Sequence, residues 1–222
     1  LGRNRVILSS IIGQVMQVGR DAVLLIVSNP VDVLACMAHK LSGLPAGRVI
    51  GSGTVLDTAR LKYLLGQRLG VDARNVHAFI IGEHGDSELA VWSSANISGV
   101  DLDDYCRITG ITEPSTVLRQ IYENVRDAAY SIIEGKGATY YGIGMAVRRI
   151  AEAIVRDEHS VLPVSSMISG HYGVEGICLG VPSIVGRGGV EAVLDIPLSD
   201  GELARLQSSA RKMKELLGEV GA

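Results

Sequence analysis

The sequence predicts an α/β fold, a doubly wound parallel sheet that passes into an α+β region. Three observations carry this. A continuous apolar run, Asp21–Asn29 (DAVLLIVSN), has the pattern of a strand buried on both faces of a parallel sheet. Helical and strand-like segments then alternate. Near Ser52 the strands change from parallel type to meander type, which sets a candidate domain boundary there, with residues 1–52 on one side and 53–222 on the other.

The elements follow in order. The chain opens on LGRNRVILSSII, without an initiator Met or a signal-peptide pattern, and enters an amphipathic helix whose apolar side is expected to be Val6, Ile7, Ile11, Val15 and Val18, with Ser10 among them. After the first strand, Pro30 and Asp32 suit a helix's first turn. Val31, Leu34, Ala35, Ala38 and Leu41 continue at helical spacing, and Gly43 can close the helix. Arg48–Gly51 is a second strand. A helix is expected over Val55–Leu69, strands over Asn75–Gly82 and Ala90–Asn96, one long helix from about Glu113 to Glu134, and another from about Tyr140 to Arg156. Short strands are expected at Ser160–Ile168, Gly176–Val181 and Pro182–Gly186. Ser199-Asp200-Gly201-Glu202 is a capping box for a last helix.

The totals exclude several classes. The 222 residues suffice for a real core, and 47% hydrophobic with 20% charged residues is a globular composition, not a disordered one. A net charge of −3 without a basic block argues against nucleic acid and anionic membrane. No apolar run reaches membrane-spanning length. Cys36, Cys106 and Cys178 are widely spaced and odd in number, which fits reduced thiols in a cytoplasm and not a disulfide framework or a zinc site.

Chemistry is concentrated in two places. The strand candidate 75–82 ends in Gly82-Glu83-His84-Gly85-Asp86, a histidine framed by glycines where the chain leaves a core. This reads either as a polar turn or as a group whose backbone is tightly placed beside a ligand. Asp57 and Arg60 are three apart on a helix and share a face. They read either as a solvated ion pair or as two working groups: Arg60 a planar fork for a substrate carboxylate, Asp57 a partner that orients His84 and stabilises its protonated form. Asn29, at the end of the buried strand, is either a turn residue before Pro30 or a contact to cofactor or substrate. Thr139 follows glycines at a helix start, where an N-cap is the plain reading.

The strings SNPVDVL, VIGSGTVLDTARLKYLLG, NVHAFIIGEHGDSELAVWSSANISGV and KGATYYGIG resemble the NAD-dependent L-lactate dehydrogenases, particularly bacterial ones, along the whole chain. Malate dehydrogenases of the same superfamily share HGD and the Asp/Arg helix, whereas GEHGDS is the lactate-type form. The resemblance implies the C-terminal part of a Rossmann-type sheet in residues 1–52 and a substrate domain in 53–222, with the helix at about 140–156 packing back on the cofactor domain. It implies interconversion of pyruvate and L-lactate with NAD, in a cytoplasmic homotetramer. His84 would donate and accept the proton, Asp57 would orient it, and Arg60 would bind the substrate carboxylate. Asn29, Ser52, Leu56 and Ile143 would lie near the nicotinamide, and Asn29 and Thr139 at the substrate. Lys62 and His77 would bind a fructose 1,6-bisphosphate effector, with Lys62 standing where the family often has Arg.

The resemblance leaves the family's first third outside this sequence, including its Gly-x-Gly-x-x-Gly loop. Gly142-Ile143-Gly144 lacks the third glycine and follows no strand, so it is not that loop. A protein of only these 222 residues is therefore expected to lack activity and to expose a sheet edge. The alternatives are a malate dehydrogenase of the same fold and a catalytically incomplete fragment.

Overall fold

The apolar run forms strand β1 (Leu24–Ile26), and residues 48–51 form β2 (Val49–Gly51). They pair in parallel, Leu24 opposite Val49 and Ile26 opposite Gly51, joined through helix α2 (Val31–Ser42). Gly43 ends α2 in the left-handed region at φ 65°, its N–H donating to the His39 carbonyl. The computed structural model describes residues 2–19 and 21–219; Leu1, Arg20 and residues 220–222, which the resemblance and the two expected domains include, lie outside that part.

Two expectations change here. β1 is half-buried, because it is the edge of a four-stranded sheet that continues from β2 to residues 165–171 and then 174–180, and has a neighbour on one side only among the described residues. The first helix, α1 (Gly2–Val18), does form, but it packs through Leu8, Ile12 and Met16 on Ala38, Leu44 and Val49. Val6, Ile7, Ile11 and Val18, the expected apolar side, are exposed. Residues four apart make the contact stripe, and a neighbouring stripe of similar hydropathy misleads.

The sheet runs across Ser52. β7 (Ser165–His171) lies antiparallel to β2, with Ser165 opposite Gly51, and pairs with β8 (Val174–Gly180). A single strand expected over Ser160–Ile168 is two, β6 (Ser160–Leu162) and β7, interrupted at Pro163, which has no N–H for a ladder. β6 pairs with β9 (Ser183–Gly186), which pairs with β10 (Gly189–Val193).

Helix α3 (Val55–Leu69) forms as expected and packs on the hairpin β3 (Val76–Ile81) and β4 (Leu89–Ile97), which ends in β5 (Val100–Asp101). A short helix α4 (Leu102–Ile108) follows. The long helix expected at 113–134 is two, α5 (Pro114–Arg126) and α6 (Ala128–Lys136), broken at Asp127. Asp127 is held by two bonds from Arg126, at 2.8 and 3.0 Å. Only α5 carries a buried stripe, Val117, Leu118, Ile121 and Val125, packed with Leu61, Leu65 and Ile80.

Helix α7 (Tyr141–Val155) buries Ala146, Ile150 and Ala153 in a cluster with Ile50 of β2 and Val185 of β9. The last helix, α8 (Asp200–Glu219), starts with the expected capping box: the Ser199 amide donates to Glu202 Oε2 at 2.8 Å, and the Glu202 amide donates to Ser199 Oγ at 3.4 Å. α8 and α2 close the main core with Leu179, Leu206 and Met213.

Candidate active site

The N-terminus of α3 is fixed to the end of β3. Thr54 Oγ1 donates to the Ile80 carbonyl at 2.6 Å, and Thr58 Oγ1 accepts the Ile80 amide at 2.9 Å. Both threonines are buried, so water does not compete for these bonds. Asp57 lies between them in sequence and Ile80 stands four residues before His84. These bonds therefore bring the Asp57 and Arg60 face of the helix to the loop after β3.

That loop starts with a backbone constraint. Gly82 exchanges two hydrogen bonds with Gly180 of β8, 2.8 and 2.9 Å long. It sits at φ 96°, and a Cβ there would stand 3.1 Å from Ser209 Oγ. A Cβ on Gly180 would stand 2.7 Å from Thr54 Oγ1. The glycine two residues before the histidine thus answers to the protein's own packing.

The loop presents His84 to Asp57. His84 Nδ1 lies 2.6 Å from Asp57 Oδ2, and Asp57 Oδ1 accepts a bond from Arg60 Nη1 at 3.2 Å. The Asp57 side chain is 4% exposed, that of Arg60 18% and that of His84 24%, so the pair opens outward through the guanidinium and the imidazole. With Nδ1 committed to the carboxylate, Nε2 is the ring atom left for a substrate. A single carboxylate thus serves both partners: Asp57 makes the ion pair with Arg60 and also holds the His84 ring.

Burial alone would push the His84 pKa down. The hydrogen bond and charge of Asp57, with the charges of Asp32 and Glu88, outweigh it and raise the imidazole to about 9. Asp32 was expected only to favour the first turn of α2. It is buried, and its Oδ2 accepts the His84 backbone amide at 2.8 Å, so it also fixes the loop. Burial raises its own carboxyl to about 6. Glu88, at the end of the loop, is the other residue that the sequence reading passed over. Alternation into a strand gave it no special mark, yet it is 4% exposed.

The remaining candidates are distributed around this centre. Leu56, in the first turn of α3, and Ile143, in the first turn of α7, pack in one apolar cluster. Gly142 closes the gap between them and the guanidinium: a Cβ there would lie 3.2 Å from Leu56 Cδ1 and 4.0 Å from Arg60 Nη2. Ser52 is buried at the end of β2, its amide bonded to the Ile26 carbonyl. Asn29 is exposed beyond β1, and its carbonyl accepts a bond from Asn4 Nδ2 at 3.1 Å. Thr139 is exposed and is not an N-cap; α7 starts two residues later, at Tyr141, with Tyr140 in the cap position and no side-chain cap bond. Among the described residues no hydrogen bond ties Asn29 or Thr139 to the Asp57–His84 pair. Lys62 lies on the far side of α3, its Nζ 5.8 Å from the Phe79 ring centre, and His77 is exposed two residues before Phe79 on β3.

Comparison with known proteins places this arrangement. Residues 1–51 match the family profile described as lactate/malate dehydrogenase, NAD binding domain, and residues 54–222 match lactate/malate dehydrogenase, alpha/beta C-terminal domain. The chain belongs to the lactate/malate dehydrogenase family. Within that family it is 52% identical over 215 residues to the L-lactate dehydrogenase of Acetivibrio thermocellus, covering 97% of this chain and 68% of that one. It is 48% identical over 220 residues to L-lactate dehydrogenase 1 of Clostridium acetobutylicum, covering 99% and 70%. The crystal structure of the minor L-lactate dehydrogenase from Enterococcus mundtii, in a ligands-bound form, superposes with a TM-score of 0.94 at 42% identity, covering 99% of this chain and 69% of that one. A lactate dehydrogenase from a Medee basin deep-sea metagenome library gives 0.96 at 43% identity, covering 100% and 70%. The expected α/β fold, and the family that the motifs resembled, are those of the lactate/malate dehydrogenases.

Proposed function

We propose that this chain carries the proton-transfer and carboxylate-binding groups of an NAD-dependent L-lactate dehydrogenase. The observation that carries the reading is the single Asp57 carboxylate shared between His84 and Arg60. The relatives of half-identical sequence are L-lactate dehydrogenases, which favours lactate over the malate alternative.

In the pyruvate direction, Arg60 turns its remaining donors to the substrate carboxylate in a two-pronged bond. This brings the keto oxygen to His84 Nε2. His84 enters protonated and gives that proton to the oxygen; Asp57, still ionised, keeps the ring oriented and stabilises the charge until it is spent. In the lactate direction neutral His84 takes the hydroxyl proton back. Leu56, Gly142 and Ile143 form an apolar wall against the guanidinium, which fits the face of a nicotinamide ring. Ser52 and Asn29, at the carboxyl ends of the parallel strands, would join them, and Asn29 and Thr139 would border the substrate. When bound, the nicotinamide supplies or takes up the hydride.

Residues 1–52 then belong to the dinucleotide-binding domain and residues 53–222 to the substrate domain, with α7 leaning on the former through Ile50. The same reading makes the enzyme a cytoplasmic homotetramer. Three free, buried cysteines suit a reducing compartment, and among the described residues no helix is long and apolar enough to cross a membrane. His77 and Phe79 share a face of β3 beneath Lys62, a basic spot suited to a phosphate of fructose 1,6-bisphosphate.

The test is His84→Asn in the full-length enzyme. Turnover with pyruvate should fall by about 10²–10⁴-fold, the usual worth of a placed acid–base group, with NADH affinity retained. Unchanged turnover would remove His84 from the chemistry and the reading with it.

A further inference from the structure

We infer that Glu88 is a positioning residue of this centre: a second buried carboxyl group that faces the Asp57–His84 pair and extends to higher pH the range over which His84 keeps its proton. The inference rests on the reading of His84 as the proton carrier and adds a group to it.

The geometry comes first. One carboxylate oxygen of Glu88, one of Asp57 and a ring nitrogen of His84 all lie within 4.8 Å of one another. Glu88 is 4% exposed, and its Oε1 is buried with no hydrogen-bond partner among the described residues. Its backbone is pinned at both ends. The Glu88 amide donates to the Gly85 carbonyl at 3.1 Å, and Tyr122 Oη donates to the Glu88 carbonyl at 2.5 Å. The side chain is therefore held facing the pair. A buried carboxyl without a full set of partners costs stability, and an apolar residue would fill the place without that cost, as the fully buried Leu89 beside it does. Among the described residues no hydrogen bond or ion pair of the side chain offsets the cost, so what remains is its field at His84.

The surroundings fix the sign. From α3, Asp57 faces Glu88 as an anion and Arg60 as a cation. Asp32 of α2 acts on the same imidazole. From α5 come Arg126 and the Tyr122 hydroxyl, and Arg205 of α8 lies over the Tyr122 ring. Within the loop Glu83 is paired with Lys212 of α8, and Asp86 with Tyr130 of α6. Burial, then the Asp57 charge, raise Glu88 to about 8, while His84, Arg60 and Arg126 draw it back. Near neutral pH Glu88 is thus protonated and adds little charge. As pH rises it ionises, and its charge takes over in retaining the His84 proton where free imidazole would have lost it. By linkage the proton on His84 favours the ionised form of Glu88 to the same extent.

The experiment uses the full-length enzyme with ¹³C-labelled histidine, the His84 signal being assigned by its absence in His84→Asn. In Glu88→Gln the His84 midpoint should drop by about 0.5–1 pH unit, the effect of one charge at this separation in a partly solvated site. The alkaline limb of kcat/KM for pyruvate should drop with it, and Glu88→Asp should restore more than half of the shift. A His84 midpoint in Glu88→Gln equal to that of the wild type makes Glu88 a merely structural residue and overturns the proposal. A midpoint that moves without the pyruvate limb supports Glu88 and removes instead the role of His84 in the reaction. Should Glu88→Gln fail to fold, the wild-type protein decides. The Glu88 carboxyl ¹³C signal must show a second inflection at the His84 midpoint, and a single independent titration overturns the proposal.

Discussion

His84 Nδ1 stands 2.6 Å from Asp57 Oδ2, and that contact decides the charge of the imidazole. Burial, the strongest single influence on His84, opposes protonation; the carboxylate reverses it and raises the pKa from 6.5 to about 9. The sign for stability follows from linkage. A histidine whose pKa is higher in the folded state stabilises the fold fully below its unfolded pKa of 6.5, and that contribution is lost as pH rises from there through about 9. For pyruvate reduction, which consumes the proton, the wild-type rate should hold to about pH 9 and fall above it. Asp57→Asn leaves burial unopposed by its charge. The alkaline limb should then move down by about two units or more, and kcat near pH 8 by about 10-fold or more, in a pH–rate profile. A limb that stays in place would show that Asp57 does not set the proton affinity of His84.

Arg60 makes a different prediction, because it spends one donor on Asp57 and has the rest of its fork to offer. Lysine at this position keeps the charge but not the planar pair of N–H bonds. Arg60→Lys should raise KM for pyruvate by about 10–100-fold, the worth of one charge-assisted hydrogen bond, with a smaller effect on the pH profile than Asp57→Asn. Steady-state kinetics across pH separate the two. A KM that does not move reduces Arg60 to an ion-pair partner of Asp57.

What was legible in the sequence, and what was not, follows from the range of the interactions. Helix α3 was legible to its ends because Gly70, at φ 70°, and the apolar spacing are local signals. Asp57 and Arg60 were legible as one face for the same reason. The break at Asp127 was not, since apolar periodicity runs through it and only tertiary packing distinguishes a buried α5 from an unburied α6. The stripe on α1 was missed because two adjacent faces are comparably apolar and the choice belongs to α2. Asp32 reaches His84 across 52 residues of chain, and the Glu88 backbone is tied to Tyr122 of α5 across 34. Neither relation has a spacing that a linear reading could use. The glycine before His84 was visible, but its reason was not: Gly180, its partner, is nearly a hundred residues downstream in sequence, on another strand.

The capping box at Ser199 supplies the last prediction, because its glutamate does more than cap. Glu202 Oε1 accepts the Trp92 amide at 2.7 Å and the Ser93 amide at 3.1 Å, while Oε2 accepts the Ser199 amide and the Ser93 hydroxyl. One carboxylate thus ties the start of α8 to β4, and α8 in turn carries Ser209, whose hydroxyl accepts the Glu83 amide at 3.0 Å one residue before His84. Burial alone would raise the Glu202 pKa, but these four donors outweigh it and leave it lowered. A depressed acid contributes stability that is present above its unfolded pKa of 4.5 and is lost as pH falls through the lower folded value. Glu202→Ala takes the acceptor from these four donors, which sit on half-buried Trp92 and exposed Ser93 and Ser199, and should cost about 1–2 kcal/mol, a fall in Tm of a few degrees at pH 7. Thermal unfolding should show the gap from wild type narrowing as pH falls below 4.5 and through the lower folded pKa of the carboxylate. Because α8 holds the histidine loop through Ser209, turnover should fall along with Tm, and a destabilised variant with undiminished turnover would separate the cap from the site.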